Sequence, residues 1–288
     1  MEQALSTPPI WLRVLQFPLT RLIVLGGIVF YMMAWTEGKI IAFKDSPLTG
    51  VAIAVAMAVA IMVFYAAWGK VIERREVTEL SLPGAGREFA IGALVGTALY
   101  TACVLLLMVL GMYKIEGLNP LSIMIPGIAM AVKSAVFEEL VFRGILFGSV
   151  EAMAGSWIAI IISSLVFGFI HLLNPSATIG GAVYICIEAG LLFSAAYMVT
   201  RRLWMAMGLH MLWNYVQSGV FSGIVSGGVM MPGLFKTQVE GPDFVTGGSF
   251  GMEESLGALI FCTGAGIVML LIAMRRGHML PPPWKRKG

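Results

Sequence analysis

Two adjacent glutamates, Glu138 and Glu139, stand in the middle of a strongly apolar chain, with Arg143 four residues beyond the second. Two histidines inside apolar segments follow, as Phe167-Gly-Phe-Ile-His171 and His210-Met-Leu-Trp-Asn214. Ionisable groups in a bilayer are expensive unless paired, so a cluster of them marks a functional site. Carboxylate plus imidazole is the equipment for activating water. Glu139 and Arg143 form an i,i+4 pair with the acid N-terminal, the favourable orientation on a helix, and read as a scaffold ion pair. Glu138 is rotated about 100° from Glu139 around the helix, has no such partner, and is free to face a cavity as a general base. The bland alternative is that both acids merely balance Lys133 and Arg143. Two acids and two bases this deep are costly as architecture alone.

Spacing along the chain supplies a geometric argument. Midway between Glu138 and His171 lie Ala154, Gly155 and Ser156, a turn candidate. A hairpin closing there puts Glu138 and His171 each about 24 Å from the turn, at one depth on antiparallel helices. His210 and Asn214, i,i+4 on a third helix, both carry donors suited to a developing oxyanion, or to a clasp between helices. His210 follows Arg202 by eight residues, only about 12 Å from that helix end. The two depths agree if the hairpin projects about 10 Å beyond it.

Other intramembrane chemistries lack their residues. There is no HExxH and no GxSG, and the only aspartates, Asp45 and Asp243, fall in expected loops. Cys103, Cys186 and Cys262 lie in apolar runs without paired spacing, so neither a disulfide framework nor a cysteine zinc site is expected. Lys133 reads as a counter-charge, whereas Glu188 could line a cavity or a transport path.

The elements carrying these residues are membrane helices. Of 288 residues, 58% are hydrophobic and 12% charged, about half the charge of soluble domains, and mean hydropathy is +0.88. Apolar runs near 22–36, 48–68, 89–113, 121–148, 157–173, 178–200, 203–225 and 256–274 are long enough to span about 30 Å of hydrocarbon, or close to it. The expected fold is all-α, a polytopic membrane bundle of about eight transmembrane helices in a single domain, 1–288, with residues 120–220 as the catalytic core. No cleavable signal peptide is expected, and Ile10 to Phe17 read as a short interfacial amphipathic piece. Thirteen of the Lys and Arg residues fall on one side of this topology and four (Lys39, Lys44, Lys114, Lys236) on the other, which predicts cytoplasmic termini. The net charge of +3 reflects that asymmetry and not a nucleic-acid surface, and the basic tail Lys285-Arg286-Lys287 is expected at anionic headgroups. Small-xxx-small spacings at Gly92/Gly96, Gly144/Gly148 and Gly219/Gly223/Gly227 predict close helix packing. The Gly-rich stretch 226–254 reads as a loop bordering an access path.

Taken together, Glu138-Glu139-xxx-Arg143, Phe167-xxx-His171 and His210-xxx-Asn214 resemble, in order, the EExxxR, FxxxH and HxxxN motifs of the CPBP (CAAX protease and bacteriocin-processing, or Abi) family, which includes the Ras-converting CAAX prenyl endopeptidases. The resemblance covers roughly 120–220. It implies an eight-helix intramembrane endopeptidase acting on a membrane-associated protein or peptide, with Glu138 and His171 activating water and His210 and Asn214 holding the oxyanion. Glu139, Arg143 and Phe167 would support them. No cofactor is required by this reading. One rival is a zinc-dependent enzyme using Glu138, His171 and His210 as ligands. Another, of a different class, is a proton-coupled transporter or a non-catalytic membrane chaperone, although no internal symmetry favours transport.

Overall fold

The computed structural model describes residues 9–285, so Arg286 and Lys287 of the basic tail lie outside the described residues. After the short α1 (Ile10–Gln16) come α2 (Pro18–Ala42), α3 (Pro47–Val71) and α4 (Ala85–Val109). Strand β1 (Tyr113–Leu118) leads into α5 (Ile125–Glu139), which continues through a π-helical stretch, Leu140–Phe147, into α6 (Gly148–Ala154). Helices α7 (Ser156–Ile170), α8 (Ile179–Thr200) and α9 (Leu203–Tyr215) follow. The chain then passes through β2 (Phe235–Val239) and α10 (Asp243–Thr246) to α11 (Leu256–Arg275).

Among the described residues, seven helices are long and apolar enough to cross a membrane, the longest being the 34-residue run Leu121–Ala154. This is an integral, multi-pass membrane protein. The eighth expected segment, 203–225, is α9, which a π-helical turn carries on to Val220. Helix ends follow local chemistry. Pro18 and Pro47 open α2 and α3, where a missing N–H costs nothing. The Thr178 hydroxyl accepts from Gly181 N at 2.8 Å at the head of α8, and Ser255 caps α11 in the same way. At the expected hairpin turn, Gly155 takes φ +84°, a backbone conformation that favours glycine.

Two features position the site. Helices α4 and α9 approach until their backbones nearly touch: a Cβ on Gly92 would sit 2.0 Å from Met205 O, and one on Gly96 2.3 Å from Leu209 O. The expectation of glycine-mediated packing holds there, and it brings α9 into the bundle centre. The π-helical stretch after Glu139 breaks the ordinary i→i−4 ladder, and other helices answer its carbonyls. Gly144 O accepts from Arg21 Nη2 at 2.8 Å, and Phe142 O accepts from Ser163 Oγ at 3.2 Å.

The end bearing the α6–α7 turn is rich in ion pairs. Glu151 pairs with Arg201, at the head of α9. Arg75 donates to Glu79 at 2.6 and 3.0 Å, and Tyr65 OH donates to Glu79 Oε1 at 2.6 Å. Burial works to raise the Glu79 carboxyl, but Arg75 and Tyr65 prevail and hold it below its ordinary value. At the opposite end β1 and β2 pair antiparallel, from Tyr113 opposite Val239 to Leu118 opposite Phe235, with a bulge between Ile115 and Gly117. This small sheet ties part of the expected 226–254 loop to the segment after α4; the short alternation Tyr113-Lys114-Ile115-Glu116 was the strand signal that the sequence reading passed over.

Candidate active site

Glu138 and Glu139 end the regular part of α5 and diverge as adjacent helical residues must. Glu139 turns inward and is fully buried, as is Arg143. Arg143 Nη1 donates to Glu139 Oε1 at 3.0 Å. The guanidinium also lies over the rings of Phe167 (4.5 Å) and Phe193 (5.1 Å), a cation–π arrangement that suits a planar cation removed from water. The same Glu139 oxygen lies 2.9 Å from His210 Nδ1. The sequence reading paired Glu139 with Arg143 and missed this third member. Nothing local signals it, because α9 lies 71 residues away.

A carboxylate only accepts, so His210 Nδ1 carries the proton and Nε2 is the nitrogen turned elsewhere. It lies 3.8 Å from Glu138 Oε2. The imidazole is stacked on Phe193 (ring centroids 4.5 Å, planes 14° apart) and meets the Phe167 ring edge-on at 6.2 Å. The phenylalanine of the FxxxH motif thus packs against both histidines, since its ring is also 5.0 Å from that of His171.

His171 follows directly on α7, in a single 3₁₀ turn. Its Nδ1 is 2.7 Å from Phe167 O. A carbonyl oxygen only accepts, so Nδ1 is again the protonated nitrogen and Nε2 keeps its lone pair. Asn214 is buried one turn beyond His210, and its side-chain amide makes no hydrogen bond to another described residue; its carbonyl accepts from Ser218 Oγ at 2.8 Å.

Glu138, His171, His210 and Asn214 all line one cavity of about 470 Å³. It runs from the middle of the bundle toward the end that carries the β1–β2 sheet, where Asn174, Ser226 and Val229 border it. Ser226, Gly228, Val229, Met231 and Glu253 of the 226–254 stretch line this cavity. Asn174 Nδ2 donates to Ser226 O at 2.7 Å and fastens the rim.

Four charged lining residues lie outside the motifs: Glu37, Lys133, Glu188 and Glu253. Lys133 pairs with Glu37 of α2. Glu188 of α8 lines the cavity, as one of the two readings of it expected. Glu253, just before α11, does so too and was missed, because it belongs to an otherwise ordinary polar loop. Gln217 Nε2 and Ser226 Oγ donate to Glu253 at 2.7 and 3.1 Å. The cysteines Cys103, Cys186 and Cys262 are free and buried.

Chemically, the cavity joins a carboxylate facing open space, two imidazoles each held through Nδ1, and a free amide. That set can take a proton from water and donate to an oxygen. The Nδ1 tethering also resembles the outer-shell support of metal-binding histidines. However, among the described residues no three His, Cys, Asp or Glu side chains are grouped so as to hold a metal ion.

Residues 120–216 match the family model of type II CAAX prenyl endopeptidase Rce1-like proteins. Over that segment, about a third of the chain, the match is to a peptidase family. The match spans the α5–α9 region with all three motifs, and the proteins that this model describes are endopeptidases. No curated protein and no solved structure matches the chain.

Proposed function

We propose that the protein is an intramembrane endopeptidase in which Glu138 activates water against a peptide bond of a membrane-associated protein or peptide. The observation that carries this reading is the division of labour between neighbouring acids: Glu139 is committed to Arg143 and His210, while Glu138 faces the cavity. Glu138 takes a proton from water as the hydroxide adds to the scissile carbonyl, with His171 Nε2 as a second acceptor orienting that water. The carbonyl oxygen becomes an oxyanion, met by the Asn214 amide and by His210. His210 donates from Nε2 as the imidazolium, its Nδ1 being held by Glu139. Collapse breaks the C–N bond, and Glu138 returns its proton to the departing amine. One bond is broken by one water, leaving a new carboxyl and a new amine.

The whole chain serves this as one membrane domain, with 120–220 as its catalytic core. The distribution of Lys and Arg supports cytoplasmic termini, and the cavity mouth then opens on the opposite side, beside Lys114 and Lys236 of the small sheet. The test is cleavage of membrane peptides by the purified protein in bilayers, with Glu138→Ala used to trap uncleaved substrates. Peptides accumulated by the variant should be cut by the native protein at one bond. Equal cutting by both proteins overturns the proposal.

A further inference from the structure

Acidic side chains outnumber basic ones among the described residues that line the cavity. Four carboxylates face it, from Glu37, Glu138, Glu188 and Glu253, against a single ammonium from Lys133, which is already paired with Glu37. Arg143 is behind the wall, held by Glu139 and two aromatic rings. Glu138 has His210 within 3.8 Å. Glu253 has Gln217 and Ser226 as donors. Glu188 has nothing: it is 1% exposed, makes no hydrogen bond or ion pair to another described residue, and its Oε2 is buried without a partner. Glu253 lines the same cavity.

A carboxyl group buried in a bilayer protein without a donor is a standing cost. Structural need does not account for it: no helix is tied to another through Glu188. What would satisfy it is a donor arriving through the cavity, and beside Glu253 the complementary donor is a cation.

We propose that Glu188, with Glu253 beside it, forms a substrate-binding subsite that takes the positively charged side chain of a lysine or arginine near the scissile bond. The inference deepens the peptidase reading and rests on it for the word substrate. The subsite lies off the EExxxR, FxxxH and HxxxN residues, on α8 and on the loop before α11. It therefore acts on which peptide is held and not on the attack of water. An ammonium or guanidinium entering from the membrane would exchange its hydration for two carboxylates in a low-dielectric cavity, where charge-assisted hydrogen bonds are strongest.

The test uses the full-length protein in lipid nanodiscs and fluorescent leucine-rich helical peptides of about 20 residues, enough to span the bilayer. They are identical except for one central residue: lysine, its neutral analogue norleucine, or glutamate. The lysine peptide should bind the native protein about tenfold more tightly than the norleucine peptide, the scale of one charge-assisted hydrogen bond, and the glutamate peptide should bind most weakly. In Glu188→Gln, which keeps the size of the side chain, lysine and norleucine peptides should bind alike. In Glu138→Gln the lysine preference should survive.

Equal binding of the three peptides to the native protein, or no binding of any, overturns the subsite, and this arm needs no variant to fold. A lysine preference that survives Glu188→Gln and vanishes in Glu138→Gln also overturns it, by assigning the cation to the catalytic carboxylate. Cleavage separates the two ideas. Native protein that prefers lysine peptides yet cuts none of them upholds the subsite and sinks the peptidase reading. Cutting without a lysine preference does the reverse.

Discussion

His210 Nδ1 lies 2.9 Å from Glu139 Oε1, an oxygen that also accepts from Arg143 at 3.0 Å. One buried carboxylate oxygen therefore joins the helix carrying the two acids to the helix carrying the HxxxN pair. It fixes which imidazole nitrogen bears the proton, and it turns Nε2 toward Glu138.

The neighbouring glutamates should consequently fail in different ways. Glu138→Gln removes the base but keeps size and hydrogen bonding, so activity should fall by at least ~10²-fold with folding intact. Glu139→Gln leaves Arg143 buried without its ion partner. The loss should be on the order of 3 kcal/mol of stability, with activity reduced through the misplaced His210. Thermal melts beside cleavage rates decide the matter. A Glu139→Gln protein that is fully stable but inactive would mean the two roles are assigned the wrong way round.

His210 and Asn214 should act in the transition state more than in capture of the substrate. Asn214→Ala should lower turnover by roughly 10²–10³, the scale of one oxyanion donor, with peptide affinity little changed. His210→Ala should do the same. The double variant should lose less than the product of the two, since they serve one oxygen. Single-turnover cleavage with parallel affinity measurements reads this out. A collapse of affinity with an unaffected chemical step would make the pair a clamp on the substrate.

Metal content distinguishes water activation by Glu138 and His171 alone from the zinc alternative. The purified protein should carry no stoichiometric zinc by elemental analysis and should keep its activity in strong chelators. One zinc per chain, lost with activity and restored with it, would favour Glu138, His171 and His210 as ligands.

The ion-pair cluster at the α6–α7 end predicts a sign for the pH dependence of stability. The folded protein holds the Glu79 carboxyl below 4.5, its ordinary value, through Arg75 and Tyr65. A depressed carboxyl stabilises the fold above its unfolded pKa, and that contribution is lost as the pH falls through the folded pKa. Glu79→Gln should therefore lower the melting temperature at pH 7, and the gap from the native protein should narrow as the solution is acidified from about pH 5 downward. A gap that stays constant, or widens in acid, would refute the assignment.

Much of this protein follows from local rules. Long apolar runs must become membrane helices because a bilayer leaves backbone groups no other partner, so the spans and the Gly155 turn were legible residue by residue. The i,i+4 pairing of Glu139 with Arg143 and the divergence of Glu138 from Glu139 follow from the helical period. Spacing around one turn likewise predicted a common depth for Glu138 and His171, and both line the one cavity. What only the tertiary structure decided lies between helices. The Glu139–His210 bond depends on α9 being drawn in against Gly92 and Gly96. The aromatic seat of Arg143 needs Phe193 from α8. The place of Glu253 in the cavity depends on how the chain returns from β2 to α11. Sequence periodicity shows which residues share a face of one helix. Which faces meet is set by packing across dozens of intervening residues, and no local pattern encodes it.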